Sequence, residues 1–259
     1  MEVFIVTGTS RGLGAALAEE LISPERRVIC VARGPNRALE EKAQNASGWL
    51  DYYLQDLSQI EATDMLAQSI CDELDEKALR LVLINNAGMV GPVAQASNLP
   101  SDELAMAFNL NVTAAMIFTS RFLKATETFS GARRIVNISS GAARNPYQGW
   151  SAYCATKAAL DMFSRCVKLE QATQPNPALI VSLAPGVIDT EMQTQIRGQD
   201  QGDFPNVERF RAMKAGNQLA QASDVAKRIL EFIGRADFGQ NEIDDLRNHS
   251  SPSPPTAHS

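Results

Sequence analysis

Short apolar, β-branched runs alternate with longer amphipathic stretches along most of the chain. The short runs have the composition of buried strands, and the longer stretches place apolar residues at the three- and four-residue spacing of helices. The predicted strands are 3–8, 27–32, 49–54, 80–88, 133–140 and 178–186. The predicted helices are 12–22, 36–46, 58–76, 102–128 and 151–173.

This alternation predicts an α/β fold in which right-handed βαβ units build a doubly wound parallel sheet of the Rossmann type. The strands are apolar on both faces, as expected when helices cover both sides of a sheet. Ligands of such sheets bind at the carboxyl ends of the strands. We therefore look for function in the loops that follow the strands.

We predict a single domain over residues 1–247. Within it, residues 187–220 are polar and without a clear period, which favours a mobile lid over the substrate. A last helix at 222–233 and a short strand in "FGQNEIDD" follow this segment. The Pro- and Ser-rich residues 248–259 lack an apolar pattern and are predicted to form a disordered tail.

Composition and charge exclude several classes of function. The net charge is −6 and Lys and Arg are not clustered, which argues against nucleic-acid binding. The start "MEVFIVTGTS" has no basic leader, and no apolar segment could span a bilayer, so we expect a cytoplasmic protein without membrane contact. The histidines are His249 and His258, and the four cysteines lack metal-ligand spacing. We predict neither a metal site nor a Ser-His-Asp triad.

Three glycines lie where the first strand turns into the first helix, in "VTGTSRGLGAALAEEL". Gly8, Gly12 and Gly14 would let the backbone approach a pyrophosphate at a helix N-terminus. Tight strand-to-helix turns also use glycine without any ligand. The position after the first strand of a doubly wound sheet favours nucleotide binding.

The charge near the second strand indicates which nucleotide would bind. Ala32 and Arg33 stand where an acidic residue would bind a ribose 2′-hydroxyl, and Arg11 lies in the glycine loop. Two guanidiniums suit a 2′-phosphate because they offer fork-like donors and a permanent charge. Either arginine alone could be a solvated surface residue, but together they favour NADP(H) over NAD(H).

The loops after the third and fourth strands add candidate cofactor contacts. Asp56 in "LQDLS" could accept from the adenine amino group, or it could cap a helix, a role that Ser58 would also fill. In "NNAG", the residues Asn86, Ala87 and Gly88 are small enough for the cofactor ribose to pass close by.

A tyrosine and a lysine lie one helical turn apart in "SAYCATKAALDMF". Tyr153 and Lys157 would share a helix face, where they are either a packing accident or a pair in which the ammonium lowers the pKa of the phenol. The other tyrosines, Tyr52, Tyr53 and Tyr147, have no cation at the fourth position after them.

These motifs together resemble the short-chain dehydrogenase/reductase family. In order they are T-G-x-x-x-G-x-G, N-N-A-G, a serine after the fifth strand, Y-x-x-x-K and P-G, and they cover residues 1–245. The stretches "NISSGAARNPYQGWSAYCATKAALDMF" and "APGVIDTEMQTQIR" are similar to the sepiapterin reductase branch. They most resemble its bacterial benzil reductases, which reduce one carbonyl of a 1,2-diketone.

The resemblance implies a catalytic set of Ser140, Tyr153, Lys157 and Asn111, with NADPH as the hydride donor. Ser140 would hold the substrate oxygen beside the proton donor Tyr153, and Asn111 would hold a water that links Lys157 to solvent. The motifs and the resemblance together predict that the cofactor contacts Gly8, Ser10, Arg11, Gly12, Leu13, Gly14, Arg33, Asp56, Leu57, Asn86, Ala87, Gly88, Tyr153, Lys157, Pro185, Gly186, Val187 and Thr190. It also implies a homodimer through the helices at 102–128 and 151–173.

The substrate would be a ketone or diketone. Tyr147 and Trp150 offer an aromatic wall for a flat ketone, although Trp150 could instead be a core residue at the start of the next helix. By the sepiapterin reductase resemblance, Asp244 would contact the substrate. We therefore expect an NADPH-dependent carbonyl reductase for a benzil- or sepiapterin-like 1,2-dicarbonyl. The alternatives are a non-catalytic NADP(H)-binding sensor or regulator, or a reductase of 3-oxoacyl thioesters.

Overall fold

The predicted strands form one parallel sheet. In this computed structural model, which describes residues 1–249, seven strands are hydrogen-bonded in the order β3-β2-β1-β4-β5-β6-β7. Each neighbouring pair is parallel, which confirms the doubly wound α/β fold. The strands are β1 (Glu2–Thr7), β2 (Arg26–Ala32), β3 (Trp49–Leu54), β4 (Arg80–Asn85), β5 (Ala132–Ile138), β6 (Leu179–Ala184) and β7 (Ile243–Asp245).

Helices cover both faces of this sheet. They are α1 (Gly12–Leu21), α2 (Arg37–Asn45), α3 (Ile60–Asp72), α4 (Ser101–Phe108), α5 (Ala114–Ala125), α6 (Ser151–Gln171), α7 (Glu191–Arg197), α8 (Val207–Ala215) and α9 (Ala222–Gly234). Helices α1 and α9 bury apolar residues against one face, and α3 and α5 against the other. None of the helices within residues 1–249 combines the length and apolarity needed to cross a membrane.

Alternation along β1 shows how the two apolar layers arise. Phe4 and Val6 pack into the layer that includes α1 and α9, whereas Val3 and Ile5 pack into the layer that includes α3 and α5. All four are at least 98% buried. Because both faces of the strand are covered, every position can be apolar, which explains the continuous runs seen in the sequence.

The helix predicted at 102–128 is two helices joined by a π-helical turn. The turn spans Asn109–Thr113, and at its end the Ala114 N–H donates to the Asn109 carbonyl, one residue farther back than in an α-helix. Apolar periodicity does not reveal such a turn because the helix axis continues through it. Asn111 lies in this turn and is buried.

The segment at 187–220 contains two helices, α7 and α8, where we predicted an irregular polar run. Its ends meet in a short bridge, in which Asp189 N–H donates to the Ala220 carbonyl over 2.9 Å. Phe204, Val207 and Phe210 are buried, and Phe204 stacks on Trp150 with ring centroids 4.5 Å apart. These apolar residues are dispersed among polar ones, so the sequence pattern hid them. The mobility of the segment stays a prediction.

The C-terminal prediction falls mostly outside the described residues. The short strand in "FGQNEIDD" is β7, and a single 3-10 turn follows it at Leu246–Asn248. His249 packs against Phe232, so residues 248 and 249, which we predicted to be part of the tail, lie in the folded part of the chain. Residues 250–259 lie outside the part of the chain that the structure describes.

The stack of Phe204 on Trp150 makes the α7–α8 segment part of the cooperative fold. We expect Phe204→Ala to lower the free energy of unfolding by about 3–5 kcal/mol, because it leaves a cavity beside a buried indole. Phe204→Leu keeps most of the volume and should cost less than about 1.5 kcal/mol. Urea denaturation followed by tryptophan fluorescence measures both. A loss below about 1 kcal/mol in Phe204→Ala would show that the segment unfolds separately from the sheet.

Candidate active site

The glycine loop between β1 and α1 forms a cradle at one end of the sheet. Gly8 and Gly12 have φ values of +78° and +59°, which only glycine adopts readily. A Cβ on Gly8 would lie 2.8 Å from the Ala87 Cα, and a Cβ on Gly14 would overlap the Gly8 carbonyl. The backbone here leaves no room for side chains.

The N-terminus of α1 fits an anionic group. Arg11 precedes the helix without capping it, and the first turn of α1 contains no acidic residue. The first backbone N–H groups of the helix are therefore free to donate to phosphate oxygens, and the helix dipole favours a negative charge there. The donors and the cradle both fit the pyrophosphate of a dinucleotide.

The loop after β4 is locked against this cradle by side chains. The Thr7 hydroxyl accepts from the backbone N–H groups of Asn86 and Ala87, each over 3.0 Å. The Asn86 amide donates to the carbonyls of Thr7 over 2.9 Å and Gly8 over 3.3 Å. Asn86 thus fixes the distance between two loops that would both contact the cofactor.

A cleft of about 1160 Å³ runs along the carboxyl ends of the strands. Every residue predicted to contact the cofactor lines it, as do Ser140, Tyr147 and Trp150. Asn111 and Asp244 do not line it. The cleft therefore joins the glycine cradle to the Tyr153–Lys157 pair within one continuous space.

Two arginines line the end of the cleft near the glycine loop. Arg33 follows β2 directly, is exposed, and has no ion-pair partner within residues 1–249. Arg11 pairs with Glu191 at the start of α7 over 2.5 Å, and both side chains are more than half exposed. Such an exposed pair is weak, so Arg11 can exchange this partner for a phosphate.

Asp56 has a local role in a turn, but it does not cap a helix as the alternative suggested, because Gln59 precedes α3 without a side-chain capping bond. Its Oδ1 accepts from the backbone N–H of Ser58 over 3.0 Å and from the Ser58 hydroxyl over 2.8 Å. These bonds shape the turn before α3 and hold the carboxylate at the cleft. An adenine contact stays a prediction.

Helix α6 brings Tyr153 and Lys157 to the middle of the cleft. Both are more than 90% buried, and the Lys157 ammonium lies 5.8 Å from the centroid of the Tyr153 ring. Lys157 Nζ donates to the Ile138 carbonyl at the end of β5 over 2.9 Å. Ser140 follows two residues later, and its side chain interacts with the Tyr153 hydroxyl and lowers the pKa of that phenol. The three polar side chains converge at one point.

Burial dominates the electrostatics of this group. It raises the pKa of Tyr153 to about 12, and the hydrogen bond with Ser140 opposes this rise. It also lowers the pKa of Lys157 to about 8, and the charge of Asp161 opposes this fall. We expected Lys157 to make the phenol acidic, but desolvation outweighs that effect in the structure. Tyr153 therefore keeps its proton at neutral pH.

Asn111 lies behind the cleft, in the π-helical turn. Its Oδ1 accepts from Met89 N–H, and its Nδ2 donates to the Met89 carbonyl, both over 2.8 Å. Its Nδ2 also donates to the Thr156 hydroxyl over 3.1 Å. The side-chain amide thus clamps the loop after β4 onto α6. The predicted water link to Lys157 is not shown by these contacts and stays a prediction.

Aromatic rings form the wall of the cleft next to Tyr153. Trp150 has its ring centroid 5.4 Å from that of Tyr153 in an edge-on arrangement, and 5.3 Å from that of Tyr147. Trp150 is also 96% buried, at the start of α6. Trp150 therefore supports the helix that carries Tyr153 and also lines the cleft, while its contact with a substrate stays a prediction.

Comparisons with known proteins agree with this site. Residues 2–201 match the family model for short chain dehydrogenases. A benzil reductase of Bacillus cereus that forms (S)-benzoin is 38% identical over 244 residues, which cover 94% of this chain and 98% of that protein. The sepiapterin reductase of Rattus norvegicus is 32% identical over 91% of this chain and 92% of its own. The crystal structure of the KRED1-Pglu enzyme superposes with a TM-score of 0.79 at 26% identity and covers 94% of this chain and 100% of that one.

The chain belongs to the short-chain dehydrogenase family. It is therefore an oxidoreductase that acts on C=O or CH–OH groups, as a carbonyl reductase of this family does. The cradle and the free N–H groups of α1 fit the NAD(P) cofactor that the family uses.

The prediction that Asp244 contacts the substrate is not supported. Asp244 lies on β7 with its carboxylate 3.0 Å from His249 Nε2, outside the cleft. Arg247, three residues later, lines the cleft instead, held by two hydrogen bonds to Asp245 of 2.6 and 2.9 Å. The resemblance covers few residues here, and several of them are acidic, so it could not show which one aligns with the substrate contact. The turn after β7 decides which side chain reaches the site.

The close contact at Gly14 gives a direct test of the cradle. Gly14→Ala would force a methyl group against the Gly8 carbonyl and the Asn86 amide, and should lower the free energy of unfolding by about 1–3 kcal/mol. Gly34→Ala is the matched control because its Cβ meets no atom within 4 Å. It should leave stability unchanged or raise it by up to about 1 kcal/mol. Thermal unfolding compares the two variants, and equal melting temperatures would contradict the close approach.

Proposed function

We propose that this protein uses NADPH to reduce one carbonyl of a 1,2-dicarbonyl compound to the hydroxyketone. The observation that carries the proposal is the convergence of Ser140, Tyr153 and Lys157 on a cleft whose other end is a dinucleotide cradle. A buried neutral phenol beside a buried ammonium is suited to deliver a proton to an oxygen that becomes negative.

The relatives and the wall of the cleft support the dicarbonyl. The Bacillus cereus relative is a benzil reductase that forms (S)-benzoin, and it is similar to this chain over almost its full length. Tyr147 and Trp150 line the cleft beside Tyr153, where they would pack against a flat aromatic ketone.

The charge at the adenine end supports NADPH over NADH. Arg33 and Arg11 line the cleft, and Ala32 stands where a carboxylate would repel a 2′-phosphate. Arg33 has no competing carboxylate partner within the described chain, and the Arg11–Glu191 pair is largely solvated. Both guanidiniums are available for a phosphate at the adenine ribose.

The residues of the chain would divide the chemistry as follows. NADPH, when bound along the cleft, supplies the hydride that reaches the carbonyl carbon. The Ser140 hydroxyl donates a hydrogen bond to the carbonyl oxygen and orients it beside Tyr153. The Tyr153 hydroxyl donates its proton to that oxygen as negative charge develops there. The Lys157 ammonium stabilises the phenolate that results, until a new proton reaches it from solvent.

The two alternatives have less support. A sensor that only binds NADP(H) has no need of a proton donor, whereas this cleft contains the complete Ser140, Tyr153 and Lys157 group. A reductase of 3-oxoacyl thioesters would accept a long flexible substrate, whereas Trp150 and Phe210 line this cleft with packed aromatic rings.

We retain the homodimer as part of the proposal. Met116 on α5 and Met162 and Leu169 on α6 are between 41% and 74% exposed. These side chains lie on the two helices that we predicted at the interface. Burying them against a second copy would remove apolar surface from water.

Tyr153→Phe tests the proton donor. The variant keeps the ring and its packing against Trp150, so folding and NADPH affinity should survive. Without the hydroxyl, kcat with benzil should fall by roughly 10²–10⁴, because water is a poor proton donor in a closed site. NADPH oxidation followed by absorbance gives kcat and KM.

Tyr147→Phe is the matched control, since it removes a phenolic hydroxyl from the same aromatic wall. It should change KM modestly and leave kcat within about threefold, as expected for a residue without a role in proton transfer. If Tyr153→Phe kept a rate near that of the parent, the proposed chemistry would be wrong.

Arg33→Asp tests the choice of cofactor. The parent should bind NADPH at least tenfold tighter than NADH, an advantage of about 1.4 kcal/mol or more. The substitution should abolish this preference, because a carboxylate repels the 2′-phosphate and accepts from a 2′-hydroxyl. Arg37→Asp removes an equally exposed charge outside the cleft and should leave the preference unchanged. Fluorescence titration measures the affinity of each protein for NADPH and for NADH. Equal affinities in the parent would contradict the proposal.

A further inference from the structure

A buried carboxylate lies one helical turn beyond Lys157. Asp161 is on α6 at the fourth position after Lys157 and is 8% exposed. It does not line the cleft, so it would not contact the substrate or the cofactor. A carboxylate is costly to bury unless it is hydrogen-bonded and paired, so its partners indicate what it does.

Asp161 joins β6 to the loop that follows β5. Its Oδ1 accepts from the hydroxyls of Ser139 and Ser182, each over 2.7 Å. Its Oδ2 accepts from Arg144 Nε over 3.1 Å. Ser139 directly follows β5, Ser182 lies in β6, and Arg144 lies in the loop beyond Ser140. The carboxylate thus holds the backbone on both sides of Ser140.

The same helix face holds three consecutive residues at the end of β5. Lys157 donates to the Ile138 carbonyl, Asp161 accepts from the Ser139 hydroxyl, and Tyr153 interacts with the Ser140 side chain. The spacing of four between Tyr153, Lys157 and Asp161 aligns them along α6. Asp161, the third residue of this row, has no role in the proposed mechanism.

We infer that Asp161 is a positioning residue, which supplies the counter-charge for Lys157 and, through Ser139 and Arg144, fixes the backbone that presents Ser140. The expected effect of Asp161 on turnover rests on the proposed reductase activity. The expected effect of Asp161 on the protonation of Lys157 does not. Removing the carboxylate charge therefore changes the protonation of Lys157 even in protein without substrate.

The other groups around Lys157 do not replace this charge. Tyr153 on the same helix is neutral near pH 7 because burial raises its pKa to about 12. Gly88 and Asn111 approach from the loop after β4 and the π-helical turn, and neither residue type carries a charge. Arg144 approaches Asp161 from the loop after β5. On the far side of Arg144 lie the charged side chains of β7 and the turn that follows it, Asp244, Asp245 and Arg247. Asp161 is the carboxylate that raises the pKa of Lys157 against burial.

The sign of the expected change follows from these contacts. Burial lowers the pKa of Lys157 to about 8, and Asp161 raises it. In Asp161→Asn burial still lowers the pKa of Lys157 but no carboxylate opposes it, so Lys157 should lose its proton at lower pH. In Arg144→Gln the carboxylate loses a competing cation, so Lys157 should keep its proton to higher pH.

The test is a titration of the Lys157 side chain by NMR in protein with ¹³C-labelled lysine, without substrate or cofactor. The Lys157 signal is the one that disappears in Lys157→Arg. Asp161→Asn should move its titration midpoint down by about one pH unit, and Asp161→Glu, which keeps the charge, should move it less than half as far. Asp64→Asn is the matched control, since it removes a carboxylate paired with Arg121 outside the cleft, and it should leave the midpoint unchanged.

Turnover provides the second readout. In Asp161→Asn the alkaline limb of kcat should move to lower pH by a similar amount, so that kcat near pH 8 falls by about fivefold with little change in KM. A purely structural role would lower kcat equally at every pH. Ser139→Ala keeps the charge but removes one bond to the backbone before Ser140, and it should lower kcat without moving the Lys157 midpoint.

The outcomes separate the two hypotheses. If the parent reduces no dicarbonyl, the proposed function is wrong, while the NMR titration still tests Asp161. A folded Asp161→Asn variant whose Lys157 midpoint stays within about 0.2 units of the parent would overturn the inference. If Asp161→Asn does not fold, Arg144→Gln decides, since Arg144 is partly exposed. An upward shift then supports the inference, and an unchanged midpoint overturns it.

Discussion

The burial of one ammonium group organises the centre of this molecule. Lys157 is removed from water at the carboxyl end of β5, where burial acts against its charge. Its charge persists near neutral pH because the Ile138 carbonyl accepts from it and a carboxylate lies one turn away. The strands must end at this point, and α6 must cross them in this register, for both contacts to exist. The fold and the chemistry therefore depend on the same few bonds.

A second constraint acts at the other end of the cleft. Gly8 and Gly14 allow the glycine loop and the loop after β4 to approach closely, and the amide of Asn86 bonds across the gap. The backbone N–H groups at the start of α1 remain free as a result. The cleft thus has a wall that fits an anion at one end and the buried Tyr153–Lys157 pair at the other. The distance between them is set by the sheet itself.

The sequence allowed the sheet, most helices and the Tyr153–Lys157 pair to be predicted, because these depend on short periods and local spacing. It did not reveal the π-helical turn, since the apolar period of the surrounding helix continues through it. It did not indicate the direction of the Tyr153 pKa, which depends on how much of the cleft wall excludes water. Asp161 was overlooked because its partners, Ser139 and Ser182, come from two strands that are distant in sequence. Each of these features depends on contacts that no local pattern encodes.

The bridge between Ile188 and Ala220 has an evolutionary consequence. It brings the two ends of the α7–α8 segment together, so the residues between them form a closed loop. Changes in the length of such a loop add little to the entropic cost of closing it. Any segment that replaces α7 and α8 must pack against Trp150, as Phe204 and Phe210 do here. A chain with this architecture can exchange the residues between the ends of this segment while the sheet, the cradle and the Tyr153–Lys157 pair stay as they are.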